Sequence, residues 1–389
     1  MPQFLKIANA AKCCIFPDMA AGNKEKKKVF VGMSGGVDSS VAAKLLKDAG
    51  LNVVGVFLKC FNLDGCAEQD AEDARRTAEH LNVPFYTMDL EKEYKEKVVG
   101  YMIRAYASGI TPNPDVMCNR EIKFGIFLER ALKMGADYVA TGHYARLRRN
   151  DKCQNPNLPC RQTGVKFQLL QAKDKNKDQT YFLWTLTQEQ LKHCLFPIGD
   201  YTKDEVRQIA REAGLPTAEK KDSQGICFLG TVKIRDFLKE YLPVREGRVI
   251  TPNGTAIGTH EGTHFYTVGQ RHGLNVSTGR KMYIASKDKK TNTITAVAEN
   301  DPALYKKEIS LTEVNFTMRK GGLPHRFKAG SRIFARIRYQ QPLQKAFLDS
   351  NESGGCKLVF DEPQKFVTPG QSAVFYSAKG EMLGGGIIT

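Results

Sequence analysis

The sequence predicts an α/β protein in which a parallel sheet is followed by a C-terminal part rich in β-structure. Three observations support this fold class. Short apolar runs alternate with segments of helical length as far as about residue 241, and a glycine-rich loop lies directly between the first strand and the first helix. Beyond Pro243 the helical segments stop, and short alternating runs are separated by turn residues such as those at 252–254.

The N-terminal elements alternate in type along the chain. Residues 28–33 form an apolar, β-branched run typical of a buried strand, and 41–49 have helical spacing that Gly50 closes. The later predicted strands are 53–58, 84–88 and 137–141, and the later predicted helices are 70–81, about 91–107 and 119–134. This order predicts a parallel sheet that is covered by helices on both faces.

The following segments predict a change of architecture. Residues 146–177 form a basic, loop-like insertion around a strand-like run at 167–170. Further helices are predicted at 187–195, 202–213 and about 231–241, and β-runs at 248–250, 293–297, 332–338 and 372–376. We therefore expect a disordered N-terminal extension (1–27), a catalytic domain (28–235), a small central linking domain (236–298) and a C-terminal barrel or sandwich (299–389).

The composition of the chain argues against several classes of protein and favours a polyanionic partner. The 389 residues are 41% hydrophobic and 26% charged, and no apolar run approaches the roughly 18 residues that a membrane-spanning helix needs. The 58 Lys and Arg against 42 Asp and Glu give a formal net charge of +16, which favours a polyanionic partner. Ten cysteines are too few for a disulfide scaffold and include no C-x-x-C pair, so we predict neither bound zinc nor an iron–sulfur cluster.

The glycine-rich loop at 34–40, with the sequence Ser-Gly-Gly-Val-Asp-Ser-Ser, carries the strongest chemical signal. Glycines let a backbone approach an anion closely, and a helix N-terminus presents free N–H groups. The loop lacks the lysine of a Walker motif, and Asp38 is suited to hold Mg²⁺ beside pyrophosphate. The alternative interpretation is a turn whose Asp or Ser only caps the helix.

Two cysteines form a second signal. Cys118 follows two prolines at the predicted start of a helix, where the helix dipole and nearby Arg120 and Lys123 would favour a thiolate. The alternative is a small buried thiol. Cys227 lies between glycines in a segment without amphipathic period, and two separated thiols in a reducing compartment suggest a nucleophile and its partner.

These motifs resemble those of a known family. The loop 34–40 matches the PP-loop of ATP pyrophosphatases, and the full set resembles the tRNA 2-thiouridylases from about Lys28 to the C-terminus. The other motifs that carry the resemblance, in chain order, are Thr-Pro-Asn-Pro-Asp-x-x-Cys-Asn at 111–119, Ala-Thr-Gly-His-Tyr-Ala-Arg at 140–146, Lys-Asp-Gln-Thr at 177–180, Gly-Ile-Cys-Phe at 225–228 and Thr-Val-Gly-Gln-Arg at 267–271.

The resemblance implies a PP-loop domain, a small linking domain and a C-terminal antiparallel β-barrel. It also implies ATP-dependent adenylation of uridine 34 of tRNA at C2, then transfer of a persulfide sulfur from a cysteine desulfurase or sulfur-carrier protein. By motif position, Cys118 and Cys227 would transfer sulfur and Asp115 would act as the acid and base. The residues expected to hold ATP are Gly32, Met33, Ser34, Gly35, Gly36, Val37, Asp38, Ser39, Leu58 and Gly142.

The expected tRNA contacts come from the same resemblance and from charge. The residues implied to contact tRNA or the flipped base are Asn113, Pro114, Asp115, His143, Lys177, Asp178, Gln179, Arg338, Tyr339 and Gln371. Residues 319–345 contain eight Lys or Arg and no acid, which favours phosphate binding over an ordinary solvated face. The role of His143 is interpreted as binding.

Two rival functions stay open on the sequence. A PP-loop ligase that adenylates a small metabolite would need no paired cysteines, and a non-catalytic RNA-binding protein would leave the phosphate loop unused. Cys153 and Cys160 lie in the insertion, which the resemblance does not explain. We expect a cytoplasmic protein. The basic N-terminus leaves mitochondria as the alternative, although residues 1–28 lack the Arg that a mitochondrial presequence usually contains.

Overall fold

The structure is a computed structural model that describes residues 26–61, 65–150, 166–222, 232–317, 331–350 and 356–389. Several sequence predictions lie outside the described residues. They concern nearly all of the extension 1–27, Cys153, Cys160, Cys227 and the first half of the basic run 319–345.

A five-stranded parallel sheet forms the N-terminal part, as predicted. Described strands up to residue 222 are β1 (Lys28–Gly32), β2 (Asn52–Lys59), β3 (Phe85–Asp89), β4 (Tyr138–Thr141), β5 (Ala145–Asn150), β6 (Lys166–Gln171) and β7 (Cys194–Leu195). The sheet order is β3-β2-β1-β4-β7, and all four pairings are parallel. β1 therefore lies at the centre, with β4 beside it.

Helices cover both faces of this sheet. In the described residues they are α1 (Val37–Asp48), α2 (Cys66–His80), α3 (Glu91–Tyr94), α4 (Gly100–Ala107), α5 (Pro114–Met117), α6 (Phe127–Lys133), α7 (Gln188–Leu191), α8 (Lys203–Glu212) and α9 (Ile234–Lys239). π-helical turns at Lys95–Val99 and Cys118–Ile126 join α3 to α4 and α5 to α6. The side chains of β1 alternate accordingly, because Val29 and Val31 pack with α1 and α8, whereas Phe30 packs on the opposite face with Phe124 and Phe127.

Two predicted helices differ in extent from the structure. The helix predicted at 41–49 already begins at Val37, so residues of the glycine-rich loop form its first turn. The helix predicted at 187–195 ends at Leu191, and Cys194 and Leu195 instead pair with β4 as the strand β7. A capping box from Thr187 to Gln190 explains why a helix begins here. The helix ends early because Cys194 and Leu195 form backbone pairs with β4 at the edge of the sheet.

A second sheet forms the central part. Its strands are β8 (Gly247–Ile250), β9 (Ala256–His260), β10 (Asn275–Val276), β11 (Met282–Asp288) and β12 (Thr293–Ala298), in the order β10-β9-β8-β12-β11. The hydrophobic core of this sheet is continuous with helix 91–107, because Val249, Ile284 and Ile294 cluster with Tyr94 and Met102. The central part is thus packed against the part that contains the parallel sheet.

The C-terminal part is a closed antiparallel barrel, in agreement with the expected fold class. Its strands are β13 (Tyr305–Phe316), β14 (Ser331–Arg336), β15 (Gln344–Ser350), β16 (Cys356–Lys365), β17 (Ser372–Tyr376) and β18 (Glu381–Ile388). They run in the order β13-β16-β15-β14-β17-β18, and pairing of β13 with β18 closes the barrel.

The insertion after β4 joins this barrel. β5 and β6 form an antiparallel hairpin, and Leu169 and Leu170 of β6 pair with Met382 and Glu381 of β18. The hairpin therefore extends the sheet of the barrel, and the barrel residues Val374, Tyr376 and Met382 share a hydrophobic core with the parallel sheet.

Among the described residues, no helix has the length and apolarity to cross a membrane.

Candidate active site at the switch point of the parallel sheet

The candidate site lies at the carboxyl ends of β1 and β4. From β1 the chain continues to β2 and β3 on one side of the sheet, whereas β4 and β7 lie on the other side. The β1–β4 boundary is therefore a topological switch point. Ligands of open α/β sheets bind in the crevice outside such a point. The loop after β1 carries Ser34 to Gly36, and the loop after β4 carries Gly142 and His143, so the sheet brings together two segments that are about 100 residues apart.

The loop after β1 leaves helix-terminal N–H groups available to an anion. Gly36 is the N-cap of α1, and its extended backbone (φ −97°, ψ 163°) comes with no side-chain cap. The first N–H groups of a helix have no partner inside the helix, and they favour anions together with the helix dipole. Gly35 is required here, since its φ is +73° and an added Cβ would lie 2.3 Å from the Asp70 carbonyl oxygen.

The serine hydroxyls shape this loop. The Ser39 hydroxyl accepts a hydrogen bond from the Ser34 N–H at 3.1 Å and donates to the Gly36 carbonyl at 3.1 Å. The Ser40 hydroxyl also donates to the Gly36 carbonyl, at 2.9 Å. The serines therefore hold the loop in its curved form, and the backbone N–H groups are the donors it presents.

Gly142 lets the loop after β4 approach the start of α1. A Cβ at this position would lie 2.6 Å from the Ser39 nitrogen and 2.7 Å from the Asp38 carbonyl carbon, so only glycine fits without displacing the backbone. Leu58, which was also expected near ATP, lies at the end of β2 and packs against two of the hydrophobic clusters.

Asp38 is the centre of a polar network. The Tyr144 hydroxyl donates to Asp38 Oδ1 at 2.8 Å, and Lys203 Nζ contacts both carboxylate oxygens at 2.8 and 2.9 Å. Burial and the nearby Asp38 carboxylate both raise the pKa of Tyr144, so its hydroxyl stays protonated and donates. Sequence reasoning missed Lys203, because its setting at the start of α8 is the ordinary capping box of Thr202 and Glu205.

Asp222 extends this network. Its carboxylate forms ion pairs with Lys177, Lys203 and Arg207, each at 2.8 Å. Burial alone would raise the pKa of Asp222, but hydrogen bonds from Lys177 and Lys203 outweigh it and lower the pKa to about 2. Lys177, expected to contact tRNA, is thus joined to Asp38 through Asp222 and Lys203.

The Mg²⁺ ligand predicted at Asp38 can be tested against its surroundings. The described residues contain no cluster of three or more His, Cys, Asp or Glu side chains that could hold a metal ion. Mg²⁺ is commonly held by one or two carboxylates together with substrate phosphates. Lys203 contacts both carboxylate oxygens of Asp38, so Mg²⁺ binding there, with phosphate oxygens as further ligands, stays a prediction.

The Thr-Pro-Asn-Pro-Asp segment forms a capped turn. The Asn113 side chain accepts a hydrogen bond from the Val116 N–H at 3.3 Å, and Pro114 takes the first helical position, where its missing N–H costs nothing. Asp115 follows in the first turn and is half-buried. Burial raises the pKa of Asp115, and the nearby positive charge of Lys123 opposes the rise.

Cys118 has different surroundings from those predicted. It follows α5 and begins the π-helical turn, so it lies beyond the first helical turn, where the dipole acts most strongly. Its exposure is 5%, and it packs in the cluster that contains Leu90, Ile122 and Phe237. Arg120, which was expected to favour the thiolate, pairs instead with Glu313 of the barrel at 3.0 Å.

The barrel fixes the start of this segment. Gln371 Nε2 donates to the carbonyl oxygens of Thr111 at 3.0 Å and Pro112 at 2.9 Å, and the Thr111 N–H donates to the Pro369 carbonyl at 3.1 Å. The neighbouring Gly370 has φ +92°, and a Cβ there would lie 2.7 Å from the Thr111 carbonyl oxygen. Gln371, expected as a tRNA neighbour, therefore has a positioning contact that the sequence did not reveal.

Other expected tRNA neighbours are buried. His143 lies between Phe124 and Phe196, its Nδ1 is 2.7 Å from the Thr141 hydroxyl, and burial holds its pKa well below the ordinary value. Asp178 has an exposure of 1% and forms an ion pair with the buried Arg336 at 2.7 Å. Arg336 belongs to the basic run 319–345, so at least this member is not a surface phosphate contact.

The remaining expected neighbours also have contacts within the chain. Gln179 exchanges two 2.9 Å hydrogen bonds with the backbone of Tyr144, one through its side chain and one through its own N–H. Arg338 donates to the Phe366 carbonyl at 2.7 Å, and the Tyr339 ring packs on Phe182 with centroids 4.5 Å apart. The tRNA contacts expected from these residues stay predictions.

Comparisons with known proteins agree with this architecture. Family models described as the tRNA methyl transferase HUP domain, the tRNA methyl transferase PRC-barrel domain and the aminomethyltransferase beta-barrel domain match residues 27–231, 235–298 and 306–388. The tRNA-specific 2-thiouridylase MnmA 1 of Geobacillus kaustophilus is 46% identical over 361 residues, which cover 90% of this chain and 93% of that protein. The chain belongs to the tRNA-specific 2-thiouridylase family.

Other members of this family match over similar lengths. The tRNA-specific 2-thiouridylase MnmA of Flavobacterium johnsoniae is 42% identical and covers 93% of this chain and all of that protein. The enzyme of the same name from Listeria innocua is 43% identical and covers 94% of this chain and 95% of that protein. The family models carry methyl-transfer descriptions, whereas these full-length relatives are named for thiolation.

Proposed function

We propose that this protein is a tRNA-uridine 2-sulfurtransferase that converts uridine 34 of tRNA into 2-thiouridine with ATP and a persulfide sulfur. The observation that carries the proposal is a chain of contacts that connects two segments. The Tyr144 hydroxyl donates to Asp38 of the loop 34–40, and the Tyr144 N–H donates to the Gln179 side chain. Asn119, the residue after Cys118, donates to the Phe182 carbonyl at 3.2 Å, so the segment 179–182 connects the loop 34–40 with the segment 111–119.

The first step needs a phosphate site and a means to activate an oxygen. The uracil O2 attacks the α-phosphorus of ATP, the bond to pyrophosphate breaks, and an O2-adenylated uridine forms. The N–H groups at the start of α1 would hold the phosphates, and Lys203 balances the charge of Asp38 beside them. Mg²⁺, when bound with ATP at Asp38, supplies further neutralisation of phosphate charge.

The second step transfers sulfur. In one route, the outer sulfur of a Cys227 persulfide attacks C2 and AMP leaves with the former uridine oxygen; the Cys118 thiolate then attacks the Cys227 sulfur, which frees the 2-thiouridine and closes a disulfide. In the other route, the Cys118 thiolate attacks the Cys227 sulfur first, which closes the disulfide and releases hydrosulfide, and the hydrosulfide attacks C2 and displaces AMP. The disulfide must be reduced by an external thiol before the next turnover, and a cysteine desulfurase or sulfur carrier must reload the persulfide.

Asp115 is the proposed acid and base of this reaction. Its carboxyl is half-buried in the first turn after Asn113, and burial raises its pKa, which brings proton transfer closer to neutral pH. Asn113 and Pro114 fix the turn that presents it. The target base would leave its stack to reach this group.

Mass spectrometry of nucleosides tests the proposal. Unmodified tRNA is incubated with the protein, ATP, Mg²⁺ and a persulfide source, and 2-thiouridine should appear with one AMP and one pyrophosphate per product. Cys118→Ser and Cys227→Ser should abolish thiouridine, and Asp115→Asn should reduce its rate of formation by about 100-fold or more. The Cys194→Ser variant is the matched control, because Cys194 is buried in β7 and donates to the Gln190 carbonyl.

The rival PP-loop ligase predicts a different result. If Cys118→Ser and Cys227→Ser left ATP turnover intact and no tRNA became thiolated by the folded, persulfide-loaded wild type, the sulfur proposal would fail. Complete absence of ATP cleavage in the presence of bound tRNA would instead favour a non-catalytic RNA-binding protein.

A further inference from the structure

A cavity of about 190 Å³ lies where the three parts of the chain meet. The segment before the catalytic turn contributes Gly109 and Thr111, the central sheet contributes Ser286 and Lys287, and the barrel contributes Lys306 together with the segment 367–369. The cavity therefore has room for several water molecules, or for an anion the size of phosphate or pyrophosphate.

The lining is positively charged. Its residues include the half-buried Lys287 and the exposed Lys306, and no Asp or Glu. Asp288, the chain neighbour of Lys287, is exposed and accepts the Lys290 N–H at 2.8 Å, so it caps the following turn. The hydroxyls of Thr111, Ser286 and Thr368 add polar groups to the same lining.

Lys287 is short of acceptors for a partly buried ammonium. Its Nζ donates to the Tyr266 carbonyl oxygen at 2.6 Å, and within the described ranges it forms no ion pair with a carboxylate. An ammonium has three donors, and a desolvated charge without a counter-ion is costly. Burial accordingly lowers the pKa of Lys287 to about 8.

We infer that this interdomain cavity is a binding site for a phosphate-class anion, held between Lys287 and Lys306. Two sources present this chemistry to the protein. One is a phosphodiester of the tRNA backbone, and the other is free inorganic phosphate or the pyrophosphate that the proposed reaction releases. The tRNA source rests on the proposed function, whereas the free-anion source does not.

The location gives the site a consequence for catalysis. Thr111 lines the cavity and also begins the turn that carries Asn113 and Asp115, and its hydroxyl donates to that of Thr267 at 3.2 Å. Pro369 lines the cavity and accepts the Thr111 N–H. A bound anion would therefore join the central sheet and the barrel directly beneath the catalytic turn.

Calorimetric titration of the full-length protein tests the free-anion source. Inorganic phosphate and pyrophosphate are titrated at constant ionic strength set with chloride, into the wild type, Lys287→Met and Lys306→Met. Each substitution removes a charged donor, so the site in the cavity should bind pyrophosphate at least about tenfold more weakly, while binding at the loop 34–40 remains in every variant. Lys281→Met is the matched control, since Lys281 is an exposed lysine of the same part that does not line the cavity.

Filter binding of tRNA across salt concentrations tests the other source. If a tRNA phosphate occupies the cavity, the slope of log affinity against log salt should fall by about one in Lys287→Met and stay unchanged in Lys281→Met. A changed pyrophosphate affinity with an unchanged slope would assign the site to the free anion. The inference is overturned if the folded Lys287→Met and Lys306→Met proteins match the wild type in both measurements. Failure of the wild type to thiolate tRNA would contradict the proposed function and leave the pyrophosphate titration valid.

Discussion

The proposed phosphate-binding loop 34–40 and the proposed catalytic turn 111–118 are positioned in different ways. The loop 34–40 is held by its own serine hydroxyls and by the close approach of Gly142, all within the parallel-sheet part. The turn 111–118 is held at its start by Gln371 and Pro369, which belong to the barrel about 260 residues later. One half of the candidate site is thus built locally, and the other half depends on a distant domain.

This difference indicates which contacts couple the barrel to the candidate site. A substitution in the barrel should therefore affect sulfur transfer more than ATP binding. The turn 111–118 is hydrogen-bonded to barrel residues, and the described residues show no such bond for the loop 34–40. A substitution in the loop after β4 should instead weaken ATP binding more than it slows sulfur transfer. Four substitutions separate the two cases, and they follow from the largest expected effect to the smallest.

Arg336→Met tests the buried contact between the barrel and the Lys-Asp-Gln-Thr segment 177–180. It leaves the Asp178 carboxylate, which is 1% exposed, without its ion-pair partner, so we expect a loss of about 3–5 kcal/mol in the free energy of unfolding. Denaturant titration measures this loss. Arg332→Met on the same strand is the control, because Arg332 is exposed and should change stability by less than about 0.5 kcal/mol. Equal stability of the wild type and Arg336→Met would contradict a structural role of this pair.

Gly142→Ala tests the local half of the site. The new Cβ would lie 2.6 Å from the Ser39 nitrogen, and displacing that backbone should weaken ATP binding by up to about 100-fold while tRNA affinity is retained. Equilibrium binding of ATP and of tRNA measures both. Gly100→Ala is the control, because its Cβ would mainly meet the flexible end of Arg104 at 3.1 Å. An unchanged ATP affinity in Gly142→Ala would show that the β4 loop does not constrain the phosphate site.

Gln371→Met tests the distant half. The substitution preserves side-chain length but removes both hydrogen bonds to the Thr111 and Pro112 carbonyls, so kcat for thiolation should fall about tenfold. The KM for ATP and the affinity for tRNA should stay near the wild-type values. Gln344→Met should leave kcat unchanged, because the side chain of this half-buried barrel glutamine bonds only to the nearby Pro342 carbonyl among the described residues. A fall in tRNA affinity instead of kcat would make Gln371 a tRNA contact, as the family resemblance first suggested.

Lys203→Met tests the charge balance beside the phosphates. Without the ammonium, the carboxylates of Asp38 and Asp222 would repel ATP, and its affinity should fall about fivefold. The control is Lys173→Met, which removes an exposed lysine paired with Glu205 of the same helix. Equal ATP affinities in the two variants would remove Lys203 from the site.

Local patterns allowed much of the architecture to be predicted. The alternation of apolar runs and helical segments located β1 to β4, and the glycines at 35 and 36 located the phosphate loop, because each depends on neighbours in sequence. Pairings between distant segments were not predictable in this way. Neither β7 beside β4, nor the hairpin β5–β6 beside β18, nor the contact of Gln371 with Thr111 leaves a local pattern. The contact of Lys203 with Asp38 was not predictable for the same reason, since the capping box of Thr202 and Glu205 is the only local pattern around Lys203.

The hairpin β5–β6, which extends the sheet of the barrel, has a consequence for biosynthesis. β5 and β6 leave the ribosome about 200 residues before β18, their only neighbour in the barrel sheet among the described strands. Until β18 is made, the outer edge of β6 presents unpaired backbone groups, which are a template for association with other chains. Nascent chains stalled before Glu381 should therefore be the ones most prone to aggregate, and chaperone dependence should end with the last eight-residue strand.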